Sequence, residues 1–147
     1  MDVIKSPVPK RILTAFTILY LLSLTGPAIS YSYNNAIHTL SAIEVFLVGG
    51  IAFIGGGMYE SLIWLANPIG LLTVPWFIYN KRNAMVTSFT ATIIALSYSM
   101  RGEVLAAESG SVGYITSLGW GYWLWVLSFV VLTAGVTYYY VRIDNRR

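Results

Sequence analysis

The sequence predicts an all-α membrane protein with four transmembrane helices and both termini in the cytoplasm, on three observations. The chain of 147 residues is 56% hydrophobic and only 10% charged, against about 25% charged in an ordinary soluble domain. Eight of its nine Lys and Arg residues fall in three clusters: Lys5, Lys10 and Arg11; Lys81 and Arg82; Arg142, Arg146 and Arg147. Positive side chains near membrane spans stay on the cytoplasmic side, so these clusters set an orientation. Sorted that way, the inner face carries the eight basic residues against Asp2 and Asp144, a net of +6. The outer face carries Arg101 against Glu44, Glu60, Glu103 and Glu108, a net of −3 with His38 neutral. Four spans with short connections fill nearly the whole length, leaving a single integral-membrane domain over 1–147.

The first span is expected over 12–30. Pro7 and Pro9 are read as keeping the leader extended, Lys10-Arg11 as anchoring the start, and Thr25-Gly26-Pro27 as bending or ending the apolar run. The basic leader, the apolar stretch and Ala28-Ile29-Ser30 also resemble a cleavable signal peptide. An uncleaved anchor is the expectation taken, and either leaves the remaining topology unchanged. Tyr31, Tyr33, Asn34 and Asn35 suit an outer interface. Residues 45–59 are uncharged, but at 1.5 Å per residue they cover only about 22 Å of a roughly 30 Å hydrocarbon core. A fifth span there would also place Lys81-Arg82 outside. The segment at about 43–57 is therefore predicted to be an outer-leaflet interfacial or re-entrant helix, ended by Gly55-Gly56-Gly57.

The second span, 61–79, contains Pro68 and Pro75, each of which removes a backbone N–H and kinks a helix. In the third span, 84–100, Thr87, Ala91, Ala95 and Ser99 recur every four residues. That stripe of small residues is the predicted helix-packing face, and it puts this helix in the middle of the bundle. Residues 101–120 read as an outer loop with one or two helical turns at 102–109. The fourth span, 121–141, has Trp120, Tyr122, Trp123 and Trp125 at one end and Tyr138-Tyr139-Tyr140 at the other, an aromatic belt at each interface.

Enzyme signatures are nearly absent. With no cysteine, disulfides, thiolate metal sites and a Cys nucleophile are excluded. His38 is the only histidine, which excludes metal sites built on paired histidines. Ser109-Gly110-Ser111-Val112-Gly113 resembles a nucleophile elbow but lacks its first glycine and sits in the expected loop. No catalytic residue, metal or cofactor is expected. The candidate partner-binding residues are Glu44, Glu60, Arg101, Glu103 and Glu108, a polar cap on the outer face. Their plainer reading is that Glu60 complements a helix dipole and Arg101 marks the end of the third span. Asn67 with Pro68 is the candidate intramembrane polar site, because the proline frees a carbonyl near Trp64 and the amide needs partners in hydrocarbon. Structurally, Asn67 would bond that carbonyl or the hydroxyls of the third helix. Functionally, it would mark a substrate or ion site at a broken helix. No Asp, Glu, Lys or Arg lies in the expected span cores, which argues against a proton-coupled pump.

Trp64-Leu65-Ala66-Asn67-Pro68 and Gly121-Tyr122-Trp123-Leu124-Trp125 resemble a loose group of small four-helix bacterial inner-membrane proteins. The likeness covers roughly residues 43–135. It implies a four-span topology, an acidic outer-leaflet segment before the Trp-x-Ala-Asn-Pro element, and no assigned activity.

Three functions compete. The leading one is a non-catalytic inner-membrane protein acting through protein–protein contacts in the bilayer or at its outer face, as immunity-type proteins and accessory subunits do. The alternative is a small transporter or channel for a solute or ion, necessarily oligomeric if four helices are to enclose a path. A lipid-modifying enzyme comes third, since outer carboxylates alone are a poor catalytic set. The expected partners are the lipid bilayer and a protein in the membrane or at its outer face. A net charge of +3 gives no reason to expect nucleic acid, and a homo-oligomer is compatible with the small-residue stripe.

Overall fold

In the computed structural model, which describes residues 7–106 and 110–143, four main helices carry a four-stranded antiparallel sheet at one end. The fold is therefore mixed, and the expected all-α bundle of four spans is corrected. Helix α1 spans Pro7–Ser23. Pro7 and Pro9 open it rather than extending a leader, because a missing N–H costs nothing in a helix's first turn. The chain then turns at Thr25-Gly26 and enters β1, Pro27–Tyr33, so the helix does not continue to residue 30. Asn34 and Asn35 have φ of 50° and 61°. They form the two-residue loop into β2, Ala36–Ser41, with Tyr33 facing Ala36 and Tyr31 facing His38. Two consecutive left-handed residues match the twist of paired strands, and asparagine reaches that region more readily than most residues.

Helix α2, Ala42–Gly49, starts on a capping box in which the Ser41 hydroxyl and the Glu44 carboxylate satisfy each other's backbone N–H. It is followed by a short 3-10 turn, Ala52–Gly55, that closes on Gly56 at φ 95°. The interfacial helix expected at 43–57 is thus two short pieces. Helices α3, Met58–Trp64, and α4, Ala66–Tyr79, run nearly end to end. Asn80 caps α5, Lys81–Ser97, by accepting the Asn83 N–H. The segment expected as an outer loop instead forms β3, Glu103–Leu105, and β4, Val112–Leu118. Sheet order is β2-β1-β4-β3, with Tyr31 of β1 facing Ile115 of β4. Helix α6, Trp120–Tyr138, leaves β4 directly and ends in a π-helical turn, Tyr139–Ile143.

Among the described residues, two helical stretches are long and apolar enough to cross a membrane, by length and composition: Met58–Tyr79 and Trp120–Arg142. Helices α1 and α5 have 17 residues each, or about 26 Å at 1.5 Å per residue. The expected spans 12–30 and 84–100 are not found as such.

Helix α5 packs against α4 and α6, and α1 packs against α6. Fully buried Phe77, Phe129, Leu132 and Val136 fill the core, and Ala84, Ala91 and Ala95 set the close approaches of α5. Hydroxyls pair across the helices, Thr73 with Thr87 at 2.9 Å and Thr92 with Thr133 at 2.8 Å. At the end away from the sheet, the Lys81 ammonium donates to the Tyr140 carbonyl at 3.4 Å. Apolar side chains such as Leu21, Leu72, Ile93 and Val130 point outward from all four main helices.

Candidate functional site

A cavity of about 290 Å³ lies where the sheet meets the helices. Ile29, Tyr31 and Leu40 close it from the sheet, Val45 and Phe46 from α2, and Ile63, Trp64, Tyr122 and Trp125 from α3 and α6. Asn67 forms part of its lining and is 5% exposed. The Tyr20 hydroxyl and the Trp125 indole N–H both donate to the Asn67 Oδ1 at 2.8 Å. Its Nδ2 donates to the Trp64 carbonyl at 3.0 Å. Pro68 cannot supply the N–H that would normally reach that carbonyl, so the side-chain amide replaces it. One amide thereby ties α1, α4 and α6 together. The Trp64 indole N–H in turn donates to the Phe46 carbonyl at 2.7 Å, fixing α2 over α3.

Of the five outer-face candidates, Glu44 and Glu60 line the cavity. The Glu60 Oε1 accepts the Leu105 N–H at 3.1 Å, joining the first turn of α3 to β3. The Glu44 Oε2 accepts from both the hydroxyl and the N–H of Ser41 at 2.7 Å. Those bonds favour the ionised form and hold the Glu44 carboxyl below its usual value. Arg101 and Glu103 are not among the lining residues. The Arg101 guanidinium sits 4.2 Å over the Tyr59 ring, and Glu103 is exposed at the start of β3. Glu108 lies outside the described residues.

Tyr98 completes the wall. It is 4% exposed, and its hydroxyl has no hydrogen-bond partner among the described residues. Burial, with the Glu60 charge adding to it, pushes this phenol well above its ordinary value. Its neighbours are satisfied: Tyr122 donates to the Ala95 carbonyl at 2.9 Å and Tyr59 to the Ser97 carbonyl at 3.4 Å.

The packing stripe holds only in part. Ala91 and Ala95 are fully buried and Thr87 bonds Thr73, but Ser99 is exposed beyond the end of α5. Four residues turn a helix by about 400° at 3.6 per turn, so a strict every-fourth row drifts off the face. The buried row is Ala84, Ser88, Ala91 and Ala95. His38 is exposed on β2 and stacks on Tyr31 at 5.4 Å. Among the described residues no group of His, Cys, Asp and Glu could hold a metal ion.

Sequence reasoning passed over Tyr20, Phe46 and Tyr98, and it read Trp125 only as part of an interfacial belt and of the motif behind the resemblance. Tyr20 carried a signal, being the one phenol in the apolar run 12–24. No known protein family, curated protein or solved structure matches this chain, so the site is read from its geometry.

Proposed function

We propose that this protein is a non-catalytic, membrane-resident binding protein that receives its target in the cavity between sheet and helices. The observation that carries this reading is the makeup of the cavity wall. It is apolar and aromatic, and its polar groups are held for binding rather than reaction. Among the described residues no histidine, lysine or cysteine lines it, and the one serine that does, Ser23, donates to the Tyr20 carbonyl at 2.6 Å. Among the described lining residues nothing pairs a nucleophile with a base. A concave, largely apolar site with a few convergent polar groups is the usual form of a ligand pocket, about 300–1,000 Å³ in volume.

Membrane residence is supported by the two long apolar helices and by the outward apolar side chains between the sheet and the basic end. Exposed Trp120 and Trp123 at one end and Tyr79 and Tyr138 at the other suit the two interfaces. The test is to fill the cavity. Ala52→Phe, in protein reconstituted in nanodiscs, should abolish ligand-induced stabilisation while leaving the far-UV spectrum intact. Unchanged stabilisation would move the site elsewhere.

A specific observation favours a second reading, capture of a protein partner at the sheet edge. Strand β2 is an edge strand, residues 36–39 are exposed, and Ile37 is 75% exposed. Open edges offer unpaired N–H and C=O groups to an incoming strand. Thr39→Pro would then lower partner co-purification, whereas Ala52→Phe would not.

A further inference from the structure

We infer that the cavity takes one hydrocarbon chain of a membrane lipid, which enters beside α2 and leaves its headgroup outside. This rests on the binding reading above and adds to it the chemical class of the ligand. Three observations converge. First, the polar side chains of the inner wall are already engaged within the protein. The Asn67 amide is shared among Tyr20, Trp125 and Trp64. The Trp64 indole N–H donates to the Phe46 carbonyl, and the Tyr122 hydroxyl to the Ala95 carbonyl. The Tyr98 hydroxyl is enclosed by protein, out of a ligand's reach. A polar group brought in here would lose its own partners and find none in exchange. A methylene needs no partner, and filling an apolar space restores contacts that empty walls lack.

Second, the opening has an apolar rim. Among the described lining residues only Glu44 and Val48 are exposed, and both belong to α2. The apolar residues that follow along α2 and the 3-10 turn, Leu47, Ile51, Phe53 and Ile54, are exposed as well. A run of outward apolar side chains beside an opening fits hydrocarbon better than water. The Glu44 carboxylate, exposed and held by Ser41, marks the wet edge of that rim, where a headgroup stays solvated. Third, the size fits a chain and not a whole lipid. The cavity of about 290 Å³ is about twice the roughly 150 Å³ of a dry apolar cavity that holds one benzene, hence room for about ten to twelve carbons.

The probes are 1-decanol and 1,10-decanediol, added to the full chain in phosphatidylcholine nanodiscs and compared at equal concentration within the lipid. Both carry the same chain, but the diol must bury its second hydroxyl against a wall with no free partner. Trp64 and Trp125 report occupancy through tryptophan emission, and the melting temperature reports stabilisation. The expected result is saturable binding of decanol at least about tenfold tighter than the diol, the order expected for one buried hydroxyl left unpaired. Ala52→Phe should abolish that binding. Native mass spectrometry of the wild type released from the nanodisc should find one phosphatidylcholine retained, and none on Ala52→Phe. Equal binding of decanol and the diol, both lost in Ala52→Phe, would overturn the hydrocarbon inference and leave the binding reading standing. So would binding of neither probe with no phospholipid retained. Discrimination between the probes without a retained phospholipid would overturn the bilayer as the source of the chain. Binding that Ala52→Phe leaves unchanged would overturn both, because the site would then lie elsewhere. The wild-type comparison decides the hydrocarbon inference even where Ala52→Phe fails to fold.

Discussion

At Asn67 one amide oxygen takes hydrogen bonds from the Tyr20 hydroxyl and the Trp125 indole, while the amide nitrogen serves the Trp64 carbonyl. Asn67→Leu leaves all three groups unpaired in a buried place. Each such orphan costs about 1–3 kcal/mol, so we expect a loss of about 3 kcal/mol or more in detergent or nanodisc melting. Tyr20→Phe, which removes one donor and leaves Asn67 bonded to Trp125, should cost about 1 kcal/mol. The importance of Asn67 was legible because Pro68 follows it. Its donors were not, since they lie 47 and 58 residues away in the chain and no local pattern marks them. Glu44 makes a pH prediction. Its carboxyl binds a proton less readily in the folded state than in the unfolded chain, so its contribution is full above the ordinary value of 4.5. That contribution is lost as pH falls through and below this value. Melting followed from about pH 6 to about pH 3 should show a shallower acid decline for Glu44→Gln than for the wild type.

Elements differ in how plainly the sequence announces them. Helix α6 falls close to the expected 121–141, and α3–α4 covers 61–79, because long apolar runs with aromatic ends are strong signals. The sheet escaped for a physical reason. Its strands are three to seven residues long, and Tyr, Ser and Asn at 31–35 equally suit a membrane interface. The missed cue is Asn34-Asn35, a two-residue hairpin loop. Changing both to Val should destabilise the hairpin by about 1–2 kcal/mol per residue, whereas Gly at either position should be tolerated. Strand β1 also finds β4 far along the chain, a pairing that composition cannot reveal. In α5, Ala95→Leu overpacks a fully buried contact and should cost about 1–3 kcal/mol. Ser99→Leu lies on exposed surface and should be nearly neutral in the same melting series.

At the scale of the whole molecule, the described members of the basic clusters, Lys10, Arg11, Lys81, Arg82 and Arg142, lie at helix ends away from the sheet, with Lys81 held against Tyr140. The acidic residues Glu44, Glu60 and Glu103 lie at the sheet end. Between the two ends the helices turn apolar side chains outward, and the cavity sits where the sheet caps them. The proposed function depends on one division, which it places between a helical half in lipid and a sheet half in water, with the cavity at their boundary. Because the chain contains no cysteine, that division can be measured directly with single-cysteine variants in the membrane. Ile37→Cys, on the exposed edge strand, and Ile93→Cys, on the outward face of α5, are 75% and 64% exposed in the protein alone. A water-soluble maleimide should label Ile37→Cys rapidly and Ile93→Cys only after the bilayer is dissolved in denaturant. Equal rapid labelling of both in the intact membrane would contradict the division.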